Sequence, residues 1–224
     1  MKLSLVVPTL NAGGRVGDML RAWQTALGVD EIIVSDGGST DGTIKAAEAT
    51  GASVVSGPAG RGYQLAVGAN RATGDWLLFV HADTLPGANV GPSVRAFTGD
   101  EANTGKAAAF HLRLDDESGP ARRVERLANW RARKFGLPYG DQGLLIDRET
   151  YEALGGFRPL PLMEDVELVR RLGRTRITLL NGEVMTSAAR YRRDGYWKRP
   201  TRNVTLLCLY FLGVSPERLA KMYG

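Results

Sequence analysis

Features that mark several protein classes are scarce in this chain of 224 residues. It has one cysteine, Cys208, which excludes an internal disulfide framework and any multi-cysteine zinc or iron–sulfur site. Its longest apolar run, 204–214, is interrupted by Thr205 and is shorter than the ~20 residues needed to cross a bilayer. The first residues contain no long apolar segment, so we expect no signal peptide. We therefore expect a cytoplasmic protein, with peripheral contact at the inner membrane left open.

Two common nucleotide-binding signatures are also absent. No G-x-G-x-x-G follows the first predicted strand, and segment 99–106 lacks both the spacing and the Ser or Thr of a P-loop. The two histidines, His81 and His111, are too far apart in the sequence to form a local metal pair. These absences exclude the dinucleotide-binding fingerprint, the P-loop and a histidine-based zinc motif.

The composition is that of an ordinary globular protein, but the charge is uneven. Hydrophobic residues make up 43% of the chain, and the length predicts one or two domains. Residues 1–119 carry a net charge of −4 and residues 120–224 a net charge of +9, which together give the overall +5. A basic half suggests an anionic partner such as a phosphorylated substrate or a lipid headgroup. The chain matches no nucleic-acid-binding module, so we expect no nucleic-acid partner.

Strand and helix patterns alternate through the first half of the chain. Apolar runs predict strands at 2–7, 31–35, 53–55 and 76–80, and helical spacing predicts helices at 15–26, about 39–50 and 64–72. Unbroken apolar strands between helices indicate a parallel sheet covered on both faces. Ligands of such sheets bind beyond the carboxyl ends of the strands, where Asn11, Asp36 and Asp83 fall.

The second half is less regular, and no repeat or linker separates it from the first. Predicted strands lie at 107–114, 143–146 and 177–180, and predicted helices at 121–135, 149–154, 163–172, 200–212 and 216–223. The apolar face of the helix at 200–212 leaves three alternatives open: docking on the core, contact with a second copy, and contact with a membrane. We predict a single domain spanning 1–224.

Four segments, in their order along the chain, resemble family 2 glycosyltransferases. They read VVPTLN at 6–11, SDGGSTDGT at 35–43, FVHADT at 79–84 and ED at 164–165. Segments 202–204 and 212–219 are further similar to a small bacterial subfamily associated with radical-SAM and selenium-domain genes. The resemblance implies an α/β fold of GT-A type, with a mostly parallel central sheet, flanking helices and C-terminal helices. About 1–119 would hold a nucleotide-sugar, and about 120–224 the acceptor.

The same resemblance implies an enzyme that inverts the anomeric carbon while moving a sugar from a nucleotide-diphosphate donor to an unidentified acceptor hydroxyl. A UDP-sugar is favoured, and a GDP-sugar is left open. A divalent metal, Mn²⁺ or Mg²⁺, would neutralise charge on the leaving diphosphate. The family's Asp-x-Asp motif reads His81-Ala82-Asp83 here. Asp83 is the expected metal ligand, and His81 is left open as a ligand, a ribose contact or a packing residue.

The expected donor contacts lie at strand ends and at one helix start. They are Pro8, Thr9, Asn11, Asp36, Gly38, Arg61, His81, Ala82 and Asp83. The Asp36 carboxylate can accept a hydrogen bond from a base N–H, although a turn role for Asp36 is the alternative. Arg61 comes just before a predicted helix, where its charge and the helix N-terminus can together receive a phosphate.

The acidic pair Glu164 and Asp165 supplies the expected catalytic groups. By the resemblance, Asp165 is the general base and Glu164 orients it or helps to hold the acceptor. Acids at a helix start also complement the helix dipole, which is the structural alternative. Contacts to the acceptor or the diphosphate are expected from Asp141, Gln142, Arg192 and Trp197.

Other functions stay open at this point. His81 in the metal motif favours a nucleotide-sugar-binding protein without catalysis, and a related sheet could also serve a nucleotidyltransferase. A membrane-surface adaptor and a homodimer are further alternatives.

Overall fold

The computed structural model describes residues 2–223, and its strands form one sheet. The strands are β1 (Leu3–Thr9), β2 (Glu31–Asp36), β3 (Ser53–Ser56), β4 (Trp76–Phe79), β5 (Thr84–Pro86), β6 (Ala107–Leu114), β7 (Leu144–Asp147) and β8 (Ile177–Thr186). The helices are α1 (Arg15–Leu27), α2 (Thr43–Glu48), α3 (Arg61–Arg71), α4 (Val90–Thr98), α5 (Gly119–Phe135), α6 (Arg148–Ala153), α7 (Glu164–Leu172), α8 (Ala189–Asp194), α9 (Lys198–Phe211) and α10 (Pro216–Tyr223).

The strand order is β3-β2-β1-β4-β7-β6-β8-β5. Strands β1 to β4 are parallel, as predicted, with Val6 opposite both Ile33 and Phe79. Strand β7 runs antiparallel to β4 and β6, and β5 runs antiparallel to β8. The chain moves outward from β1 to β3 and then returns to β4 on the other side of β1. The carboxyl ends of β1 and β4 therefore flank a topological switch point, where ligands bind in such sheets.

Helices cover both faces of the sheet because alternate strand residues point to opposite sides. In β1, Leu5 and Val7 belong to a core that includes side chains of α1 and α4, and Val6 belongs to one that includes side chains of α3 and α7. The predicted single α/β domain with a mostly parallel sheet is confirmed.

The C-terminal helices dock on the beginning of α7. Leu206 and Leu207 of α9 and Leu219 of α10 are buried against Met163 and Val166. Docking on the core, one of the three alternatives, therefore applies to Leu206 and Leu207. Val204 and Phe211 of α9 and the following Leu212 are exposed, so contact of that face with a second copy or a membrane stays a prediction. In the part of the chain that the structure describes, no helix has the length and apolarity required to span a bilayer.

The sequence patterns missed helix α4 and the second half of β8, and the two segments pack on each other. Gly91 and Pro92 argue against a helix, yet Pro92 lies in its first turn, where a missing N–H is tolerated. Asn181 and Gly182 suggest a turn, yet Gly182 stays in the strand and allows close packing. A Cβ on Gly182 would lie 3.1 Å from the Cα of Val90. Strand β5 and helix α8 were also not predicted.

Gly62 in the first turn of α3 is a point of close backbone contact. A Cβ there would collide with the carbonyl oxygen of Arg158 and would lie 2.8 Å from both the nitrogen and the oxygen of Leu160. Because backbone atoms cannot rotate away, we expect Gly62→Ala to lower the free energy of unfolding by about 1–3 kcal/mol in urea titrations. The control is Gly119→Ala, whose Cβ would meet no atom within 4 Å and which should change stability by less than about 0.5 kcal/mol. Equal stability of the two variants would contradict this packing.

Candidate active site

A cavity of about 310 Å³ lies just beyond the carboxyl end of β4 and is lined by both halves of the chain. The first half contributes Arg61, His81 and Asp83, and the second half contributes Asp141 and Asp165. The structure thus brings together five predicted site residues from four separate segments.

Asp165, in the first turn of α7, points its carboxylate at the cavity. Oδ2 accepts a hydrogen bond from the Gly140 backbone N–H at 2.7 Å, and Oδ1 accepts one from the Val166 N–H at 2.7 Å. Met163, two residues earlier, has a φ of 66°, which is unusual for a residue with a side chain. Because the Met163 side chain is buried against α9 and α10, packing of the C-terminal helices holds this strained turn and with it Asp165.

Glu164 lies beside Asp165 but is buried away from the cavity lining. Its carboxylate pairs with the Arg61 guanidinium, which does line the cavity. Burial raises the pKa of Glu164, whereas the charge of Arg61 acts to lower it. Glu164 therefore positions Arg61 in this structure.

The half-buried His81 side chain is in close contact with Gly140. A Cβ at Gly140 would lie 2.5 Å from His81 Nε2, so glycine is required for the imidazole to occupy this place. Burial, together with the positive charges of Arg61 and Arg190, lowers the pKa of His81 to about 3. The imidazole is consequently neutral at pH 7 and keeps a lone pair for a ligand or a hydrogen-bond donor.

Asp83 and Asp141 provide further carboxylates at the cavity. Asp83 is exposed, and its Oδ1 lies 3.4 Å from the Thr186 hydroxyl. Asp141 Oδ1 is buried without a hydrogen-bond partner among residues 2–223. Burial raises the pKa of Asp141, and the charges of Asp165 and Asp83 raise it further against the opposing effect of Arg131. These groups favour a cation at this end of the cavity.

The residues fit a divalent metal that arrives with a phosphate ligand. Across residues 2–223, no three Cys, His, Asp or Glu side chains converge closely enough to hold an ion by themselves. Mg²⁺ in proteins is commonly held by one or two carboxylates together with substrate phosphates and water. Asp83, with His81 as a second candidate, could supply the protein's share, and the orphaned oxygen of Asp141 supports a cation nearby.

The ends of β1 and β2 and the loops that follow them form a hydrogen-bonded unit, which contains Thr9, Asn11, Asp36 and Gly38. Asp36 Oδ1 accepts from the Thr9 hydroxyl (2.8 Å) and the Ser39 hydroxyl (2.6 Å), and Oδ2 accepts from the N–H groups of Gly38 (2.9 Å) and Ser39 (2.7 Å). Burial would raise the pKa of Asp36, but these hydrogen bonds lower it below its ordinary value. The turn role of Asp36 is therefore present, and its contact with a base stays a prediction.

Several predicted contacts do not line the cavity. Pro8 belongs to β1, and Ala82 packs against the core that includes side chains of α1 and α4. The Gln142 side chain is buried, donating to the Phe110 carbonyl at 3.0 Å and accepting from Arg131 at 3.2 Å. Gln142 therefore connects β6 and α5, and its contact with an acceptor stays a prediction.

Residues 190–199, a segment rich in basic and aromatic side chains, line the cavity through other residues than the predicted Arg192 and Trp197. Arg192 pairs with Asp115 (3.3 Å) and Asp116 (3.5 Å) at the surface, and Trp197 is 72% exposed. Neither residue lines the cavity, so their contact with an acceptor or a diphosphate stays a prediction, whereas Arg190, Tyr191 and Arg199 do line it.

Gln64 is a positioning residue that the sequence did not reveal. Its Nε2 donates to the carbonyls of Thr9 (2.7 Å) and Ser35 (2.8 Å), and its Oε1 accepts from the Gly60 N–H at 3.2 Å. It thereby ties the ends of β1 and β2 to the start of α3, where Arg61 lies. A glutamine among helical residues gives no signal of such a role in a single sequence.

Part of the chain matches a known protein family. Residues 4–102 match the model of Glycosyl transferase family 2. The matched range contains the loops after β1 and β2, Arg61 and the segment His81–Asp83. The chain is also 39% identical over 94 residues to glucosyl-3-phosphoglycerate synthase of Mycolicibacterium smegmatis. That alignment covers 37% of this chain and 31% of the relative, so the chain spans less than a third of the relative's length.

Solved structures support the fold. The crystal structure of glucosyl-3-phosphoglycerate synthase from Mycobacterium tuberculosis with phosphoglyceric acid aligns with a TM-score of 0.59 and 23% identity, covering 83% of this chain and 70% of that one. The structure of S. aureus TarS 1–349 aligns with a TM-score of 0.64 and 19% identity, covering 84% and 61%. The family 2 match thus lies in a domain whose α/β fold is shared with these proteins.

Proposed function

We propose that the chain is a family 2 glycosyltransferase that moves a sugar from a nucleotide-diphosphate donor to an acceptor hydroxyl. The observation that carries this proposal is the shared cavity. Arg61, His81 and Asp83 from the family-matched segment face Asp141 and Asp165 from the other half of the chain. The subfamily resemblance of the C-terminal segments remains a prediction.

Ligands in the similar structures favour a uridine nucleotide. One structure of the Mycobacterium tuberculosis synthase contains Mn²⁺, uridine-diphosphate and glucosyl-3-phosphoglycerate, and one structure of S. aureus TarS contains UDP-GlcNAc. For this chain we propose a UDP-sugar, with the base at the loops after β1 and β2 and the diphosphate at Arg61 and Arg190. Asp83, with His81 as the second candidate, would hold Mn²⁺ or Mg²⁺. When bound, such an ion offsets the negative charge that develops on the diphosphate leaving group.

Asp165 would act as the general base. It takes the proton from the acceptor hydroxyl, whose oxygen then bonds to the anomeric carbon of the donor sugar. The bond from that carbon to the donor phosphate oxygen breaks, and its electron pair leaves with the nucleoside diphosphate. Attack from the face opposite the leaving group inverts the anomeric carbon.

The cationic side chains stabilise the leaving group. Arg61 is held by its ion pair with the buried Glu164, so its guanidinium is oriented before the donor arrives. Arg190 is exposed and lines the same cavity from the other half of the chain. The acceptor side carries Tyr191 and the buried Arg199, whose Nη2 lies 3.0 Å from the Tyr223 hydroxyl. We infer that about 1–119 binds the donor and about 120–224 the acceptor.

Calorimetric titration of UDP, GDP and their glucose conjugates, with and without Mn²⁺ or Mg²⁺, tests this function. We expect metal-dependent binding of the uridine nucleotides and slow metal-dependent release of UDP from UDP-sugar, with water as acceptor. Tight binding without any release of UDP would favour the non-catalytic nucleotide-sugar-binding protein. No binding of any nucleotide by the folded protein would contradict the proposal.

A further inference from the structure

Helix α5 points its large apolar side chains outward and its small ones inward. The buried apolar residues of α5 are Ala121, Val124, Ala128 and Ala132. On the outer side, Leu127, Trp130 and Phe135 are 61%, 56% and 46% exposed. This is the reverse of the usual surface helix, whose larger apolar residues face the core.

The exposed apolar residues form one patch. Trp130 follows Leu127 by three positions, so the two side chains are neighbours on the helix surface. The rings of Trp130 and Phe135 meet edge to face with centroids 5.3 Å apart. Trp197, from the segment before α9, extends the patch because the Arg123 guanidinium lies 5.2 Å from its ring centroid. Adjacent exposed apolar side chains indicate an interaction site more strongly than scattered ones do.

The same outer side is uniformly cationic. Arg123, Arg126, Arg133 and Lys134 are exposed, and they lie among the apolar residues. The acidic residue of α5, Glu125, is buried and accepts hydrogen bonds from Arg122 and the Leu114 N–H, both at 2.8 Å. We call the surface of Arg123, Arg126, Leu127, Trp130, Arg133, Lys134, Phe135 and Trp197 the basic aromatic face.

The positive charge of this face distinguishes between two partners that could cover it, a second copy of the chain and a membrane. A second copy of the chain, related by a two-fold axis, would bring two cationic surfaces together, which is unfavourable. A membrane of anionic phospholipid offers opposite charge to the four cations and an interfacial region that accommodates Trp, Phe and Leu side chains. We propose that the basic aromatic face docks the protein on a membrane surface that contains anionic phospholipid. The residues of the face are distinct from those named as cavity lining, so this docking does not depend on the proposed reaction.

Vesicle binding tests the proposal with two lipid compositions, phosphatidylcholine alone and phosphatidylcholine with phosphatidylglycerol. Trp23 and Trp76 are buried, so an emission change on binding reports Trp130 and Trp197. We expect the full chain to sediment with the anionic vesicles, its tryptophan emission to move to shorter wavelength, and binding to weaken as salt is raised. Equal binding to both compositions, or to neither, would overturn the proposal.

Matched variants test whether vesicle binding depends on this face or only on the overall positive charge of the protein. Arg126→Glu with Arg133→Glu, and separately Trp130→Ser with Phe135→Ser, should each weaken vesicle binding at least tenfold while unfolding temperature and UDP binding stay unchanged. The control pair, Lys45→Glu with Arg71→Glu, makes the same charge change at exposed positions of α2 and α3 and should alter vesicle binding less than threefold. Equal losses in the control would overturn the assignment of the face. Self-association or RNA binding that depends on the face, without vesicle binding, would also overturn it.

Discussion

Replacing Asp165 with Asn should lower turnover by about 10²–10⁴-fold and leave donor affinity within about threefold. The magnitude is that of a lost general base, because an amide cannot accept the proton from the acceptor hydroxyl at neutral pH. The substitution keeps the shape of the side chain, and its remaining oxygen can still accept the hydrogen bond that Gly140 now donates at 2.7 Å. Release of UDP from a UDP-sugar gives the rate, and calorimetry gives the affinity.

A surface aspartate controls for the loss of one negative charge. Asp18→Asn on α1 removes an exposed carboxylate that pairs only with Arg21 at 2.7 Å among the described side chains, and it should leave both rate and affinity unchanged. Full turnover in Asp165→Asn would remove this residue from the role of base and would direct attention to Asp141, whose orphaned carboxylate lines the same cavity.

Removal of the Asp83 side chain should abolish the metal-dependent part of nucleotide binding. Asp83 is exposed at the cavity, and its contact with Thr186 is long at 3.4 Å, so Asp83→Ala should leave the unfolding temperature almost unchanged. Changes around metal sites commonly reduce metal affinity by 10–100-fold, and for a direct ligand we expect about 100-fold weaker binding of UDP in Mn²⁺. The Kd should then equal the value measured without metal.

Calorimetry of UDP with and without Mn²⁺ measures this effect. Asp18→Ala, at an exposed position of α1 whose carboxylate pairs with Arg21, provides the matched control and should retain the full response to Mn²⁺. An unchanged response in Asp83→Ala would show that the ion is held elsewhere. His81→Ala would then distinguish the imidazole from the carboxylates.

The parallel half of the sheet could be predicted from the sequence because its strands are short, continuous apolar runs between amphipathic helices. The predicted strand at 2–7 differs from Leu3–Thr9 by one residue at its start and two residues at its end. The packing of helix α4 on strand β8 could not be predicted from the sequence. Gly91 and Gly182 each weaken the local pattern, and each lies against the backbone of another element. A Cβ on Gly182 would meet Val90 of α4, and a Cβ on Gly91 would meet the carbonyl oxygen of Ala26 in α1.

Asp83 and Asp165 could be selected from the sequence because the first follows strand β4 and the second begins helix α7. Asp141 lies in the turn before β7, and the topology gathers all three at the cavity. The sequence did not show which basic residues of the segment 190–199 face the cavity. Each helical step rotates a side chain by about 100°, so the two steps from Arg190 to Arg192 rotate it by about 200°. Arg190 therefore faces the cavity and Arg192 the surface, although both are arginines of one basic segment. The role of Gln64 depends on carbonyl groups of two other strands and has no local signature.

A crystal structure of the protein with UDP and Mn²⁺, with anomalous scattering used to locate the ion, tests the central claim most directly. We expect an anomalous peak in direct contact with the Asp83 carboxylate, the diphosphate between Arg61 and Arg190, and the uracil at the loops after β1 and β2. UDP bound without contact to Arg61 or Asp83, or a cavity that stays empty at saturating UDP and Mn²⁺, would rule out the proposed donor site.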